Sequence, residues 1–353
     1  MSTRKWIYFV GIVTLLTGCS NSPVSMAEDE AEYTLENIVT DNKDMLNERV
    51  QVEDAFETIK SVKKFSFITP DDYLEKASFI YFPEKKHLEY YESYSIEGIY
   101  NTIDLRTKTQ YDSKKDYEFK RDSLNNIRSV VHPQLLIEIG NFKEEDFSMM
   151  LAKEQDNILY ESTYFHKDFT NDLMDQIAHS LKNEQDGVYD LYFDRILIDY
   201  SKVKFPKLDP KRINIRSISS SFSEVSGYNL ELTYTTPNDI EFIYTIRDTE
   251  QIEAQYQKQG VELVKDIEVT QYFNEYNDGF HVYMWTDGIH FYELKNSLQT
   301  SPTEKEHIYK IIESSLTDQR EFDNPSLFKP TNTKPTLTSE DQEIRDKIKM
   351  FSK

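Results

Sequence analysis

The sequence predicts an α+β protein: two tandem units of antiparallel sheet, each closed by a helix, with one helix and a disordered tether ahead of them. Three observations carry that prediction. Aromatic residues make up 13% of the chain, mostly Tyr and Phe, and suit pleated sheet faces better than a helical bundle. From Phe65 onward, runs with partial period-2 alternation and short polar breaks read as strands. The order of patterns then recurs: IYNTIDLRTKTQYDSKKDYE (99–118) reads alongside IYTIRDTEQIEAQYQKQGVE (243–262), and ILYES with its following helix (158–181) alongside HFYEL with its own (290–316). A fixed order at similar separations implies duplication of one unit.

The first element is an address. Arg4 and Lys5 precede an apolar run of 11 residues, Trp6–Leu16, followed by Thr17, Gly18 and Cys19. This is the layout of a secretory signal peptide, since spanning a bilayer core of ~30 Å takes ~20 apolar residues. Leu16, Thr17, Gly18 and Cys19 resemble the lipobox of bacterial lipoproteins. The resemblance implies cleavage before Cys19, a diacylglycerol on its thiol, and residues 1–18 as a removed leader. Acyl chains that bury CH₂ groups at ~0.8 kcal/mol each make a strong anchor. Cys19 is the one cysteine of 353 residues, so once it is lipidated neither a disulfide nor a cysteine metal site is available. No later run approaches 18 apolar residues, which leaves the lipid as the expected membrane contact, on the extracellular face of the cell membrane. The octapeptide GIVTLLTG (11–18) also resembles peptide pheromones released from such leaders.

Charge excludes some partners. The chain carries a formal charge of −22; residues 1–18 hold Arg4 and Lys5 and no acid, so the remainder stands at −24. A field of that sign opposes nucleic acid, and no nucleic-acid partner is expected.

The elements follow in order. Residues 19–35 form the lipidated cysteine and a polar tether with few groups to bury. Residues 36–62 read as a helix, because Ile38, Met45, Leu46, Val50, Val52, Ala55, Phe56, Ile59 and Val62 recur at three- and four-residue steps. The first unit spans 63–198: strands through 76–113, the LLIEIGNF stretch, a helix candidate at KEEDFSMMLAKE (143–154), a strand at 157–166, and the closing helix TNDLMDQIAHSL with Leu173, Ile177 and Leu181 on one stripe. Residues 199–212, with Pro206 and Pro210, join the units. The second unit, 213–320, has strands through 227–256, another at 261–276, and a hairpin turning at Asp287-Gly288. Its closing helix opens with Ser301, Pro302 and Glu304, a capping box, and carries Ile308, Ile311, Ile312, Ser315 and Leu316 inward. Residues 321–353 read as an extended tail with a short terminal helix.

At Trp285 the second unit acquires a resemblance. HVYMWTDGIHFYELKNSLQTSPTEKEHIYKIIESSL looks like the end of a domain of unknown function found in Gram-positive exported lipoproteins and anti-sigma-factor ectodomains. Trp285, Asp287-Gly288, Tyr292 and Ser315-Leu316 carry the pattern, over about 225–317. The first copy lacks the Trp and the Asp-Gly turn. Proteins with this domain are also similar to the periplasmic lipoprotein-carrier fold, a curved antiparallel sheet closing on helices. The resemblance supplies no catalytic residues.

The histidines are His87, His132, His166, His179, His281, His290 and His307, and none forms HExxH. His281 and His290 flank the Trp285 hairpin and are a pair to watch. No GxSxG, phosphate loop or GxGxxG occurs, and DNKDMLNE (41–48) lacks the glycine of a calcium loop. No enzyme activity, metal or cofactor is implied. Tyr90, Tyr91, Tyr94, Tyr272, Tyr276 and Trp285 are candidate binding aromatics, with core packing the competing reading. The expected function is a noncatalytic binding or interaction module of the cell envelope, with an unknown envelope protein or ligand as partner. A lipid or lipoprotein carrier with an apolar cavity, and a cell-wall hydrolase, are the alternatives.

Overall fold

The computed structural model describes residues 35, 37–41, 45–61, 63–65, 73–95, 102–108, 124–132, 135–142, 148–155, 158–165, 188–190, 202–223, 227–237, 240–274, 279–296 and 302–328; for 60–75 and 94–201 the description is of backbone and pairing. All belong to one unit, residues 34–353. The leader, Cys19 and the tether, the first unit's closing helix and the tail beyond 328 lie outside the described residues.

Helix α1 (Glu48–Ser61) starts where the Asn47 side-chain oxygen accepts the Val50 amide at 3.3 Å, satisfying one of the donors that a first helical turn leaves free. The expected helix over 36–62 thus begins only at Glu48. Ahead of it, Val39 bridges Leu208, the Thr40 amide donates to the Lys207 carbonyl at 3.0 Å, and the Asp209 amide donates to the Ile38 carbonyl at 2.8 Å. Backbone groups committed to a neighbouring segment are not available to a helix, and Asn37 at φ 59° breaks the helical run.

Short strands β1 (Lys63–Phe65) and β9 (Val188–Asp190) pair with each other. The other strands are β2 (Tyr73–Phe82), β3 (His87–Ser95), β4 (Thr102–Lys108), β5 (Leu124–His132), β6 (Leu135–Phe142), β7 (Ser148–Gln155), β8 (Ile158–Phe165), β10 (Asn214–Ser223), β11 (Gly227–Thr235), β12 (Glu241–Arg247), β13 (Tyr256–Val264), β14 (Ile267–Asn274), β15 (Phe280–Thr286) and β16 (Phe291–Asn296). They form one 14-stranded sheet, antiparallel at every junction, in the order β13-β14-β15-β16-β12-β11-β10-β2-β3-β4-β8-β7-β6-β5. The protein is therefore mostly antiparallel sheet with few helices, and the two separate sheets expected from sequence are one continuous sheet. Helix α2 (Pro302–Leu316) follows the last strand.

Read outward from the β2–β10 junction, the two arms have the same order, with β2, β3, β4 and β8 to β5 answering β10, β11, β12 and β16 to β13. The registers agree as well. A bulge between Leu74 and Lys76 against β3 recurs between Ile215 and Ser217 against β11. A second, between Asn125 and Arg128 on edge strand β5, recurs between Lys258 and Gly260 on edge strand β13. At the junction, Phe79 faces Ser220, and the flanking pairs Tyr81–Ile218 and Ala77–Phe222 exchange under a half turn about that pair. Following the ladders carries Tyr160 onto Tyr292 and Glu161 onto Glu293, in keeping with the sequence comparison of 158–162 with 290–294. They carry Leu105, not Tyr100, onto Tyr244, so the comparison of 99–118 with 243–262 was laterally out of step.

Three local expectations also change. The helix candidate at 143–154 is strand β7 from Ser148: its Met, Leu, Ala, Lys and Glu residues favour helix, but β6 and β8 take its backbone on both sides, and tertiary pairing overrides propensity. The stretch 261–276 is two strands turning at Lys265-Asp266, with Lys265 at φ 55°. The Asp287 hairpin has a four-residue loop, since Thr286 and Phe291 are the last cross-strand pair.

One face of the second arm packs on α1 and α2. Leu230, Leu232 and Tyr234 of β11, Phe242, Tyr244 and Ile246 of β12, Tyr292 and Leu294 of β16, and Tyr283 and Trp285 of β15 alternate inward and meet Ile308, Ile311 and Ile312 of α2. Each fully buried aliphatic chain contributes ~1.5–3 kcal/mol, so this face is a large source of cohesion among the described residues. The joining residues 203–208 are core as well, with Val203, Phe205 and Leu208 buried, as are Phe322 and Phe328, which the sequence had placed in a surface tail.

Candidate functional site

Several predicted binding aromatics are core. Tyr90 and Tyr272 are buried, and Trp285 stacks on Tyr292 at 5.6 Å with planes 12° apart. Tyr91 is half-buried under the Lys76 ammonium, 5.9 Å from its ring centre. Tyr94 is placed by its pairing with Leu74 and Ile103, and Tyr276 lies outside the described residues. His281 and His290 do not meet. His281 pairs with Asn296 at the open end of the hairpin, while His290 sits in its loop, about 17 Å away at ~3.3 Å per residue.

The Asp287 loop is built to hold its shape. Asp287 Oδ1 accepts the amides of Ile289 (3.0 Å) and His290 (2.9 Å), and Oδ2 accepts the Tyr292 hydroxyl (3.0 Å). Burial alone would raise this carboxyl; those bonds and the Lys204 ammonium hold it below the ordinary range. Gly288 takes φ 85°, which only glycine adopts at no steric cost.

Two buried ionic groups fasten segments together. Under α1, Asp318 Oδ2 receives Arg49 at 2.7 Å and the Phe205 amide at 2.9 Å, while Asp318 Oδ1 receives Arg320 Nε at 2.7 Å. Arg320 also donates to the Leu46 carbonyl at 2.8 Å and to Glu48 Oε2 at 3.2 Å. Burial pushes the Glu48 carboxyl up to about 8 against the pull of Arg320. On the opposite face of the sheet, residues 248–255 cross from β12 to β13. Arg247 pairs with Glu293 at 2.9 Å and donates to the Gln251 carbonyl at 3.2 Å; Lys295 pairs with Glu293 at 3.0 Å and Glu253 at 3.2 Å. Although burial opposes it, Glu293, Tyr256 and Glu253 hold Lys295 protonated. Both groups are internally paired and join elements.

Among the described residues an open groove of about 650 Å³ lies between residues 35 and 37–41 and α2. Leu35, Asn37, Val39, Asp41, Lys207, Lys265, His307, Lys310, Glu313, Ser314 and Thr317 line it. Its walls are fixed: the Lys207 amide donates to Ser314 Oγ at 3.1 Å, and the turn lysine Lys265 reaches Glu313 at 2.8 Å. Sequence reasoning missed this site, because its donors come from four separate segments and no local spacing joins them. A smaller cleft of about 230 Å³ lies over Arg49 and Arg320. Among the described residues no group of three or more His, Cys, Asp or Glu side chains is placed to hold a metal, and no helix is long and apolar enough to cross a membrane.

No family model and no curated protein matches the chain. Solved structures overlap it faintly. The apo immunity protein TplEi of the type VI secretion system of Pseudomonas aeruginosa is 9% identical over 73% of this chain and 97% of its own, with a TM-score of 0.23. The Tle4–Tli4 complex gives 9% identity, 70% and 92% coverage, and a TM-score of 0.23. MucB in complex with MucA(peri) gives 7% identity, 75% and 98% coverage, and a TM-score of 0.16. Overlaps of that size do not establish a common fold.

Proposed function

We propose that this chain is a lipid-anchored lipoprotein of the cell envelope whose folded part is a noncatalytic binding module made of two tandem copies of one seven-stranded unit. The observation that carries the anchoring is the sole cysteine: it stands at position 19, behind an apolar run of 11 residues and Leu16-Thr17-Gly18. Leu35, 16 residues after the proposed attachment point, is already buried in the core. The matching strand order and the two recurring bulges support duplication.

The geometry favours binding over turnover. The buried carboxylates Glu48, Asp318 and Glu293 are engaged with arginines or lysines that fasten segments, buried Glu92 takes the Tyr90 hydroxyl, and none of the four lines the groove. An apolar carrier cavity finds no support in the second arm, where Tyr234, Phe242, Tyr244, Tyr283 and Tyr292 fill the space under the helices. Replacing Cys19 by Ser tests the anchoring by cell fractionation. The variant is expected to leave the membrane fraction; full retention there would remove the lipid from the account.

A further inference from the structure

Strand β13 ends the sheet on the second arm, with β14 on one side and, among the described residues, no strand on the other. Its register with β14 sets which backbone groups are spare. Val264 and Ile267 flank the two-residue turn Lys265-Asp266 and form a hydrogen-bonded pair, so Val264, Glu262 and Gly260 aim their N–H and C=O groups at β14. The groups of Val261 and Leu263 therefore point off the sheet. Those two residues also carry the apolar side chains that β13 exposes, Leu263 at 70% and Val261 at 45%. Both lie on the sheet face opposite α2, because Glu262 between them turns to α2, where it meets Lys305 and accepts the Tyr309 hydroxyl at 2.8 Å. Helix α2 itself stops short of the edge: Tyr309 packs edge-on against Tyr283 of β15, and only long side chains reach β13. A bulge blunts an edge where it sits, but here it lies between Lys258 and Gly260, and residues 260–264 pair with β14 without interruption.

We propose that this edge pairs with the same edge of a second copy of the chain, antiparallel about a two-fold axis through Glu262. A two-fold contact between like strands has to be antiparallel and self-complementary, and this register is both. It sets Val261 against the partner's Leu263 and Leu263 against the partner's Val261, each pair exchanging its backbone hydrogen bonds, with the apolar side chains adjacent on one face. A slip of one residue opposes side chains from different faces. A slip of two sets Val261 or Leu263 against itself and leaves the other against Gln259 or Lys265. Charge agrees with the register. Lys258 and Asp266 are exposed at opposite ends of the edge, so antiparallel pairing brings each to the other on the partner. Lys265, beside Asp266, is matched by Glu313 at 2.8 Å. Glu262 faces the partner's Glu262 across the axis, and Lys305 on each copy offsets that repulsion. One strand pair is a small interface, below the ~1,200 Å² where stable complexes begin, so the dimer is weak and concentration-dependent. This inference goes beyond the binding-module reading and makes no use of the lipid.

Sedimentation equilibrium of the full chain in neutral detergent tests the pairing across a range of concentration and salt. The expected result is a monomer–dimer equilibrium that tightens with salt, because a chain of −22 repels its own copy and salt screens that repulsion. Val261→Lys with Leu263→Lys weakens association about tenfold or more; both side chains are exposed, so Tm stays at the parent value. Val50→Lys, an exposed apolar residue on α1, leaves association unchanged. A second measurement reads the register. In a Cys19→Ser background, Glu262→Cys puts a thiol on the axis, opposite its own copy at the ~4.5 Å Cα separation of a non-hydrogen-bonded pair, and oxidised glutathione converts it to a disulfide-linked dimer. Gln257→Cys, at the far end of the strand, stays uncross-linked under the same treatment. A monomer at every concentration, a dimer indifferent to the paired lysines, or cross-linking at 257 as readily as at 262 overturns the proposal. Capture of an extended peptide on β13 of a monomeric chain would assign the edge to another protein and overturn it as well.

Discussion

Glu48 is a carboxyl enclosed by protein, with Arg320 on one oxygen and, among the described residues, no hydrogen-bond partner for the other. Held up to about 8, it is neutral in the folded state at neutral pH, whereas in the unfolded chain it ionises near its ordinary value. A raised carboxyl stabilises the fold fully below that ordinary value, and the contribution is lost as pH rises through the folded one. The loss runs at ~1.4 kcal/mol per pH unit between about 4.5 and 8. Glu48→Gln, permanently neutral, is therefore expected to match the parent near pH 4 and to exceed it increasingly up to about pH 8, with the advantage level from there to pH 9, read from urea midpoints. Equal midpoints at pH 9 would sink this assignment. Glycines supply a second test. Gly288 and Gly227 both take positive φ, 85° and 64°, but a Cβ at Gly288 meets nothing within 4 Å while one at Gly227 lies 2.7 Å from Asp248 Oδ1. Gly288→Ala should cost ~1 kcal/mol and Gly227→Ala clearly more, seen as a larger fall in Tm. Asp287-Gly288 was legible as a turn from its dipeptide, whereas nothing local in sequence marked Glu48, whose partners lie some 270 residues away.

The crossing segment 248–255 shows what an element needs when it runs over a sheet face. Arg247, Glu293, Lys295 and Glu253 form its fastening, and Glu293 is 1% exposed. Removing one member of a buried pair strands the other, so Glu293→Ala should cost ~3–5 kcal/mol. Replacing both partners, Arg247→Met with Glu293→Leu, removes one of the two cations that Glu293→Ala strands, leaving Lys295 to Glu253 alone, and should recover part of that loss. Denaturant midpoints of the two variants decide it, and a double variant as unstable as the single one would contradict the pairing. Strands of the second arm were readable because their faces differ: Leu230, Leu232 and Tyr234 alternate with polar residues. Strand β7 was not, because its residues favour helix and only the neighbouring strands make it extended. The groove was invisible for a related reason: it is a product of packing between 35–41, 207, the β13–β14 turn and α2.

At the scale of the whole molecule, two arms share one strand order, two bulge positions and a junction that exchanges under a half turn about Phe79–Ser220. Sequence comparison set Tyr160-Glu161 beside Tyr292-Glu293, and the ladders place these residues at matching positions of the two arms, although one sheet stands where two were expected. Residues 203–208 instead enter the core, since Val203, Phe205 and Leu208 are apolar and have a sheet face to cover. With β2 and β10 zipped antiparallel, unfolding of one arm exposes the edge of the other. Thermal denaturation is accordingly expected as one transition, and two well-separated transitions would argue that the arms are independent.

The central claim is that this fold is carried at the membrane by a lipid on Cys19. Intact-mass analysis of the chain recovered from its native membranes tests it most directly. The account predicts a polypeptide beginning at Cys19 and heavier than residues 19–353 by a diacylglycerol. An unmodified cysteine, or a chain beginning elsewhere, would contradict it.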